Sequence, residues 1–318
     1  MVSANEGSSA VGRSRYPDTV LMVRPACFYG NAETAGSNSF QRQVSHAPEA
    51  LLKAALVEFD NSVKRLEACG LNVLVWEADP AADAPDALFP NNWFSTHADG
   101  RVMIYPMATA NRRRERRVPE LVDVLSRHGF AVRRLVDWSS REDREQYLEG
   151  TGSLILDRRL QRVFAARSVR THPDCVMDWA NEFGYEPILF DAFDPRGNPI
   201  YHTNVLMAVG NGVAVLGGPL VQETDRERVR STLAMQREVI ELSSNQIDAF
   251  AGNVLFLAAP DPCVVLSVTA WSSLSSTQRQ QLERHAQPVI CEVPTIERVG
   301  GGGIRCMLAE ICLPRQMG

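Results

Sequence analysis

The chain lacks long apolar runs. No stretch of about 18 consecutive apolar residues occurs among its 318 residues, so the sequence offers no candidate for a membrane-spanning helix. Residues 1–15 have no apolar segment of the kind that a secretory signal needs, and their small polar composition predicts a disordered tail. We therefore expect a cytoplasmic protein with no membrane partner, folded over residues 16–318.

A basic excess and metal-ligand spacings are also absent from the sequence. The net charge is −5, which gives no reason to expect nucleic acid or an anionic membrane surface as a partner. The seven cysteines include no CxxC pair and the six histidines no HExxH motif, so the spacing predicts free thiols in a reducing compartment and no metal site.

The sequence does contain a recurring unit of two strands, a helix and a third strand. The stretch "NNWFSTHADGRVMIYPM" predicts a hairpin at Asp99-Gly100, "VPELVDVLSRHG" a helix and "FAVRRLVD" a strand. The order recurs three more times, with hairpins turning at Asn211-Gly212 and Asp261-Pro262 and a long predicted helix over residues 225–243. The N-terminal strands and helix form a fifth copy with the strand predicted around Cys306.

The first strands of these copies are predicted to start at regular intervals. Their starts lie near Asn92, Gly152, Asn204, Asn253 and Cys306, with spacings of 60, 52, 49 and 53 residues. Units of this length cannot bury their faces alone and must pack around one another. The regular spacing predicts an α/β fold, namely a five-bladed α/β propeller of ββαβ repeats around a pseudo-five-fold axis. The alternative is an ordinary mixed α/β domain.

A propeller of this kind brings distant residues together. If first strands start near the axis, side chains at those starts converge on one central pocket. The residues expected to meet there are Asn91, Asn92, His97, Glu149, Gly152, His202, Asn204 and Cys306.

Three of these residues carry reactive side chains. Cys306 follows glycines 300–303, which let a ligand approach the backbone closely, although a buried structural thiol is the common fate of a free cysteine. His202 and Glu149 occupy equivalent places in two other copies, where a structural imidazole and a turn carboxylate are the alternatives. Together they have the composition of a thiol nucleophile, an acid/base partner and an orienting acid.

Three further stretches have two interpretations each. The basic run "NRRRERR", residues 111–117, is either a solvated face before a helix or a clamp for a substrate carboxylate, which arginine binds bidentately. Arg170 in "ARSVRT" has the same two interpretations. Residues 27–43 are rich in Gly, Asn and Ser and predict either a lid over the pocket or a plain surface loop.

The motifs together resemble a known superfamily. "FPNNWFSTH", "NRRRE", "LEGTG", "SVRT", "YHTN" and "GGGIRCM" occur in the order found in the guanidino-group modifying superfamily, the penteins, from about Val20 to Pro314. That superfamily includes arginine deiminases, dimethylarginine dimethylaminohydrolases and amidinotransferases, and its fold is a five-bladed α/β propeller. The resemblance implies one catalytic domain over residues 16–318, a small amino-acid substrate, no cofactor, and a homodimer or higher oligomer.

The resemblance also implies residue roles. Cys306 is similar to the nucleophile of the superfamily, His202 to its general acid/base and Glu149 to its catalytic glutamate. Residues similar to those that bind the substrate's carboxylate are Asn91, Arg112 and Arg170.

The departures from the superfamily pattern concern charge. Deiminases hold their cationic guanidinium with aspartates, but this chain has His97, Gly152 and Asn204 at the matching positions. The dimethylarginine enzymes have an acidic pair where this chain has Asn91-Asn92. A buried cation without a counter-charge is strongly penalised, whereas amide and imidazole groups can hydrogen-bond a neutral urea. We therefore expect Asn92, His97 and Asn204 to read a ureido head group. "FPNNWFSTH" and "LEGTGS" also resemble the citrulline-utilisation hydrolases.

The sequence thus predicts a cysteine hydrolase that cleaves the ureido C–N bond of citrulline to ornithine, carbon dioxide and ammonia through a thio-carbamoyl intermediate. One alternative is a guanidine deiminase or amidinotransferase that acts on arginine or dimethylarginine and uses other acids, such as Asp86 or Asp157. A second alternative is a non-catalytic propeller that serves as a binding module. Retention of all three catalytic residues favours an enzyme.

Overall fold

The computed structural model describes residues 16–42 and 44–316, and the predicted disordered tail, residues 1–15, lies outside this part of the chain. The strands are β1 Thr19–Arg24, β2 Asn72–Glu77, β3 Phe94–Thr96, β4 Arg101–Ile104, β5 Arg134–Asp137, β6 Ile155–Asp157, β7 Arg162–Ala166, β8 Glu186–Phe190, β9 Met207–Val209, β10 Val213–Leu216, β11 Glu238–Glu241, β12 Leu255–Ala258, β13 Pro262–Ser267, β14 Gln287–Cys291 and β15 Ala309–Glu310. The α-helices are α1 Ala32–Ala35, α2 Pro48–Ala68, α3 Ala110–Arg113, α4 Val118–Arg127, α5 Gly150–Ser153, α6 Pro173–Phe183, α7 Glu223–Ala234, α8 Ser244–Asp248, α9 Val268–Ser273, α10 Ser276–Glu283 and α11 Pro294–Gly300. Among the described helices, none is both long enough and apolar enough to cross a bilayer.

The strands form five three-stranded sheets within the described residues, in the orders β15-β1-β2, β3-β4-β5, β6-β7-β8, β9-β10-β11 and β12-β13-β14. In each sheet the central strand pairs antiparallel with one neighbour and parallel with the other. The antiparallel pair is a tight hairpin in four sheets, and the parallel strand returns through a helix, as parallel pairing requires. The mixed α/β fold and the recurring unit of strand, strand, helix and strand are therefore confirmed.

Helix α4, which connects the parallel strands β4 and β5, buries one apolar stripe. In α4 the buried residues Leu121, Val124 and Leu125 recur at helical spacing and face the core. The central strand β10 has the sequence "VAVL" and is buried along its whole length. A continuous apolar run of this kind is typical of a strand that is covered on both faces.

The long helix predicted over residues 225–243 is wrong in its second half. Helix α7 ends at Ala234, and Glu238–Glu241 forms β11, which pairs parallel with β10 through Ala214 and Val239. The β-branched residues in "EVIE" fit this pairing, so the tertiary contact overrides the helical pattern that precedes it.

The predicted starts of the first strands are short helical turns. Four of these turns come just before β3, β6, β9 and β15, and they are the 3₁₀ turn Pro90–Asn92, the helix α5, and the 3₁₀ turns Thr203–Val205 and Ile304–Met307. Helix α5 contacts the turns Pro90–Asn92 and Thr203–Val205, and Pro90–Asn92 also contacts Ile304–Met307. Residues far apart in the sequence therefore meet at these turns.

The sheets also contact one another in sequence order. Strand β6 packs on β9, β9 packs on β12, and β13 contacts the turn before β15. Strand β15 packs on β3, and α5 at the start of the β6 sheet also contacts β3. Each sheet thus has a neighbour on both sides.

Candidate active site

Cys306 lies in the 3₁₀ turn Ile304–Met307 and is 3% exposed. Two side-chain amides donate to its sulfur. Asn253 Nδ2 lies 3.3 Å from Sγ and Asn204 Nδ2 lies 3.5 Å from it. Amide donors stabilise a thiolate without a formal charge, so this environment suits a sulfur that becomes an anion during a reaction.

Glu149 and His202 form a buried pair. His202 Nε2 lies 2.8 Å from Glu149 Oε2, which also accepts from Arg170 Nη1 at 3.3 Å. The other oxygen, Oε1, accepts from the backbone N–H of Ala108 at 3.0 Å. Because both carboxylate oxygens are held, the carboxylate fixes the orientation of the imidazole.

Burial and charge set the protonation states of these groups. Burial raises the pKa of the Cys306 thiol, although the Asn253 amide acts in the opposite direction. Burial lowers the pKa of His202 to about 4, against the hydrogen bond with Glu149. Burial of Glu149 opposes its ionisation, but the Arg170 charge and the bond with His202 prevail and hold its pKa well below the usual range. At neutral pH the free site therefore contains a thiol, a neutral imidazole and a carboxylate.

Cys306 and His202 line one narrow cavity. Its volume of about 10 Å³ is close to what a single water molecule needs. The charged and reactive side chains around it are Asp86, Asn92, Arg112, Arg170, His202 and Cys306. Gly152 lies against this group, because a Cβ atom there would come within 2.5 Å of Asn92 Nδ2 and 2.8 Å of the His202 ring. Only glycine permits this approach.

The two predicted asparagines of the "PNN" turn differ in their surroundings. Asn91 donates from Nδ2 to Thr151 Oγ1 at 3.3 Å and accepts from Asn92 Nδ2 at 3.1 Å, so it links two turns rather than facing the cavity. Asn92 lines the cavity, and its Oδ1 accepts from Arg112 Nη1 at 2.7 Å.

Arg112 differs from its predicted role as a carboxylate clamp. Its Nε and Nη2 donate to the two carboxylate oxygens of Glu115 at 2.8 and 3.0 Å. This pairing occupies the two parallel N–H groups of the guanidinium that would otherwise bind a substrate carboxylate bidentately. The remaining Nη1 is directed at Asn92 and lies 3.8 Å from Glu149 Oε2. Arg112 thus orients an amide and adds positive charge beside the Glu149–His202 pair.

Arg170 is bound by the segment that was predicted as a lid or a surface loop. Its Nη2 donates to Ser37 Oγ at 2.7 Å and to the Thr34 carbonyl at 3.4 Å. Asn38 of the same segment lines the cavity and donates to the carbonyl of Gly300 at 3.2 Å. Thr34, Ser37 and Asn38 of this segment therefore lie against the site.

The structure does not bring His97 to the cavity, which corrects the prediction that this imidazole reads the substrate. His97 stacks on Phe183 with 4.0 Å between ring centroids, and its Nε2 lies 3.0 Å from Ser95 Oγ. It lines a separate cleft of about 1120 Å³. Strand β3 leads away from the turn that carries Asn92, at about 3.3 Å per residue, and His97 follows the end of that strand.

Sequence reasoning did not assign a role to Asn253, although it lies as close to Cys306 as Asn204 does. The signal was present, since Asn253 and Asn204 occupy equivalent positions in the repeat. Asp86 entered only with an alternative function, yet it lines the cavity and its Oδ1 is buried without a hydrogen-bond partner among the described residues. Asp157, the other acid considered, pairs instead with Arg237 at 2.8 Å.

Comparison with protein families places the chain. Residues 24–313 match the model described as N,N dimethylarginine dimethylhydrolase, eukaryotic. The protein is thus one of the penteins, the guanidino-group modifying superfamily that its motifs predict. Within that superfamily, the chain belongs to the eukaryotic-type N,N-dimethylarginine dimethylhydrolase family. No curated protein sequence matches it significantly.

Solved structures share the fold at low sequence identity. Apo ArgZ, an arginine dihydrolase from the ornithine-ammonia cycle in cyanobacteria, has a TM-score of 0.71 and 16% identity; the match covers 93% of this chain and 41% of ArgZ, so this chain spans less than half the length of that protein. The N-terminal domain of ArgZ, as a cysteine-to-serine mutant bound to substrate, has a TM-score of 0.70 and 16% identity, with 93% and 99% covered. DDAH from Pseudomonas aeruginosa, a cysteine-to-serine mutant complexed with citrulline, has a TM-score of 0.64 and 11% identity, with 93% and 100% covered.

Proposed function

We propose that this protein is a cysteine hydrolase that cleaves the ureido C–N bond of citrulline and releases ornithine, carbon dioxide and ammonia. One observation carries the proposal: the Cys306 sulfur accepts from the uncharged amides of Asn204 and Asn253, and it shares a cavity with His202, whose imidazole is held from behind by Glu149. A thiol nucleophile, a neutral imidazole and a fixed carboxylate are the parts that covalent hydrolysis requires.

In the first half of the reaction, Cys306 Sγ attacks the ureido carbon and its proton passes to His202. Glu149 accepts from Nε2, so Nδ1 is the nitrogen that takes this proton. The bond between the ureido carbon and the ornithine nitrogen then breaks, and His202 returns the proton to the departing amine. A carbamoyl thioester remains on Cys306.

In the second half, His202 removes a proton from water, which attacks the thioester carbon. The carbon–sulfur bond breaks, the proton returns to the sulfur, and carbamate is released and decomposes to carbon dioxide and ammonia. One water is consumed overall. A covalent route of this kind has a parallel in the ArgZ N-terminal domain, one variant of which is covalently bound to a reaction intermediate.

Two neutral amides favour a neutral head group, namely Asn92 in the cavity lining and Asn204 at the sulfur. Asn92 and Asn204 each offer an amide donor and an amide acceptor, the pair of functions that a urea complements. Asn204 reaches the sulfur itself, so it is placed to contact the group under attack. No carboxylate occupies either of these two positions.

The amino-acid end of the substrate requires two opposite charges. Arg170 binds the α-carboxylate when it exchanges its bonds with Ser37 and Thr34, which are its present partners. Asp86 binds the α-ammonium through Oδ1, the buried oxygen that has no partner in the described chain. Arg170 keeps Glu149 and Asp86 keeps Arg112 as charged neighbours, so the substrate adds one opposite charge to each of these two buried pairs.

Residues 27–42 act as the lid over this site. The cavity is far smaller than the 300 Å³ or so that ligand pockets usually offer, so the segment must move to admit an amino acid. Its hydrogen bonds to Arg170 and to the glycine run connect it directly to the binding groups.

We also infer that the five sheets are the blades of a propeller around a pseudo-five-fold axis. Strand β3 contacts α5 of the β6 sheet, β6 contacts β9, and β9 contacts β12. The succession continues from β13 to the turn Ile304–Met307 before β15, and from β15 back to β3, which supports a closed ring. In such a ring the turns before the first strands lie at the centre, where Cys306, His202 and Glu149 meet.

A guanidino substrate such as arginine or dimethylarginine is the second candidate. Asp86 is the observation that favours it, because the carboxylate lines the cavity and could face a guanidinium instead of an α-ammonium. The name of the matching family points to the same class. Citrulline remains the first proposal because amides, not acids, surround the sulfur.

One experiment separates these candidates. The purified protein is incubated with citrulline, arginine and dimethylarginine in parallel, and both amino-acid products and the intact protein mass are followed. Ornithine from citrulline, with a transient carbamoyl adduct on the peptide that contains Cys306, is the expected result. Citrulline formed from a guanidino compound, with citrulline itself inert, would refute ureido hydrolysis.

A further inference from the structure

Two buried oxygen atoms near Cys306 have no hydrogen-bond partner within the described residues: Asn253 Oδ1 and Glu297 Oε1. Asn253 is 1% exposed and Glu297 is 3% exposed, so bulk water does not reach either side chain. A buried acceptor without a donor is unfavourable, and native structures rarely leave one unpaired. Two such acceptors close to each other indicate that a hydrogen-bond donor or a proton lies between them.

Gly303 lies between the two oxygens. A Cβ atom at this position would be 2.7 Å from Asn253 Oδ1 and 3.4 Å from Glu297 Oε1. Both oxygens therefore lie beside the same residue, and a side chain at Gly303 would clash with Asn253 Oδ1.

The orientation of the Asn253 amide is fixed by its other contacts. Nδ2 donates to the backbone carbonyl of Asn204 at 2.9 Å and to Cys306 Sγ at 3.3 Å. A carbonyl can only accept, so the NH₂ group must face Asn204 and the oxygen must face Gly303. The amide nitrogen donates to the sulfur, and the amide oxygen faces Gly303 and Glu297.

Glu297 is suited to supply the hydrogen. Burial raises the pKa of this carboxyl to about 7, which the hydroxyls of Ser267 and Thr269 oppose and the charge of Glu58 reinforces. An ionised carboxylate would place two acceptors against each other across Gly303, whereas the protonated acid offers one donor to Asn253 Oδ1.

We propose that Glu297 is a positioning residue that carries a proton and hydrogen-bonds Asn253 Oδ1, directly or through one water. Glu297 then holds the amide at its oxygen end while the Asn204 carbonyl holds it at its nitrogen end. Nδ2 stays directed at Cys306 Sγ, where its donation favours the thiolate. The inference rests on the proposed function only in taking Cys306 as the reactive thiol.

The test compares Glu297→Gln with Glu297→Met. Glutamine keeps a donor for Asn253 Oδ1, and methionine keeps the length of the side chain without one. The rate of alkylation of Cys306 by iodoacetamide is measured against pH from the mass of the peptide that contains it, together with kcat and KM for citrulline. Glu297→Met is expected to move the alkylation midpoint to higher pH and to lower kcat about tenfold with little change in KM, and Glu297→Gln is expected to stay close to the wild type.

The control variant is Glu292→Gln. Glu292 is exposed and lies five positions before Glu297, just ahead of helix α11, so the substitution removes a nearby carboxylate from the surface. It should leave the alkylation profile unchanged. Should Glu297→Met fail to fold, as judged by circular dichroism, Glu297→Leu removes the same donor and replaces it in the comparison.

Three outcomes would overturn the inference: a folded Met or Leu variant with the wild-type alkylation profile, a Gln variant shifted as far as the Met variant, or a Glu292→Gln variant with the same shift. The alkylation readout does not depend on the substrate. A protein that fails to hydrolyse citrulline but shows the expected pattern refutes the proposed function and leaves the role of Glu297 supported.

Discussion

His202 Nε2 and Glu149 Oε2 lie 2.8 Å apart between side chains that are almost completely buried. The carboxylate can only accept, so it fixes the tautomer that leaves Nδ1 unprotonated. We predict that Glu149→Gln lowers kcat on citrulline by roughly 10²- to 10⁴-fold, the usual contribution of acid–base catalysis, with a smaller change in KM. Steady-state kinetics test this prediction. Glu238→Gln removes a carboxylate that pairs with Arg284 outside the cavity, and it should keep the wild-type kcat.

The low pKa of His202 has a consequence for the pH profile. The imidazole must be neutral to take the thiol proton, and it becomes protonated only as the pH falls through its pKa of about 4. We therefore predict that kcat/KM for citrulline stays constant from pH 6.5 down to pH 5 and falls only near pH 4. An ordinary histidine, with a pKa of about 6.5, would already lose activity over the upper part of this range. A profile that already declines near pH 6.5 would contradict a neutral, desolvated His202.

Replacement of the nucleophile has a sharp expected result. Cys306→Ala should abolish turnover and the carbamoyl adduct, because no other side chain can form the thioester. Cys312→Ala is the matched control, since this thiol lies six positions further along the chain and lines the separate cleft rather than the cavity. Intact-protein mass spectrometry during turnover measures both variants. Persistence of the adduct in Cys306→Ala would place the nucleophile elsewhere.

A methyl group at Gly152 should damage catalysis more than folding. The added Cβ would come within 2.5 Å of Asn92 Nδ2 and 2.8 Å of the His202 ring, so one of these groups must shift. We predict a loss of kcat/KM of about 10²-fold and a stability loss of about 1–3 kcal/mol for Gly152→Ala. At Gly36 an added Cβ meets nothing within 4 Å, so Gly36→Ala should have little effect on stability. Kinetics and thermal unfolding distinguish the two effects, and equal losses in both variants would contradict this account.

A carboxylate at Asn92 should alter substrate preference. Asn92→Asp introduces a negative charge into the cavity beside Arg112, and a buried charge favours a cationic partner over a neutral one. We predict that the ratio of kcat/KM for arginine to kcat/KM for citrulline rises at least about tenfold, which corresponds to about 1.4 kcal/mol. Asn92→Ser serves as the uncharged comparison. An unchanged ratio would mean that Asn92 does not contact the head group.

Much of the fold follows from local patterns. Hairpin dipeptides and apolar helix stripes predict the unit of two strands, helix and strand. Four of the described sheets have this order along the chain, and β15 completes the fifth from the other end of the sequence. The boundary of α7 was predicted wrongly because residues 238–241 gain a strand partner in β10 that no local pattern reveals. Asn204, Asn253 and Cys306 occupy equivalent positions in the repeat, so the sequence predicts comparable places for them ahead of a first strand. Only the structure shows that the two amides contact the sulfur.

The sequence alone determined the identity of the reactive groups and their places in the repeat: a cysteine after a glycine run, a histidine and a glutamate at matching starts. Only the tertiary structure decided which side chains face the sulfur. In the structure His97 follows β3 and stacks on Phe183. The Arg112 guanidinium donates to Glu115, and Asn253 donates to Cys306. The physical reason is that composition and spacing fix what each turn carries, whereas the direction of a side chain depends on the partners that other turns present to it.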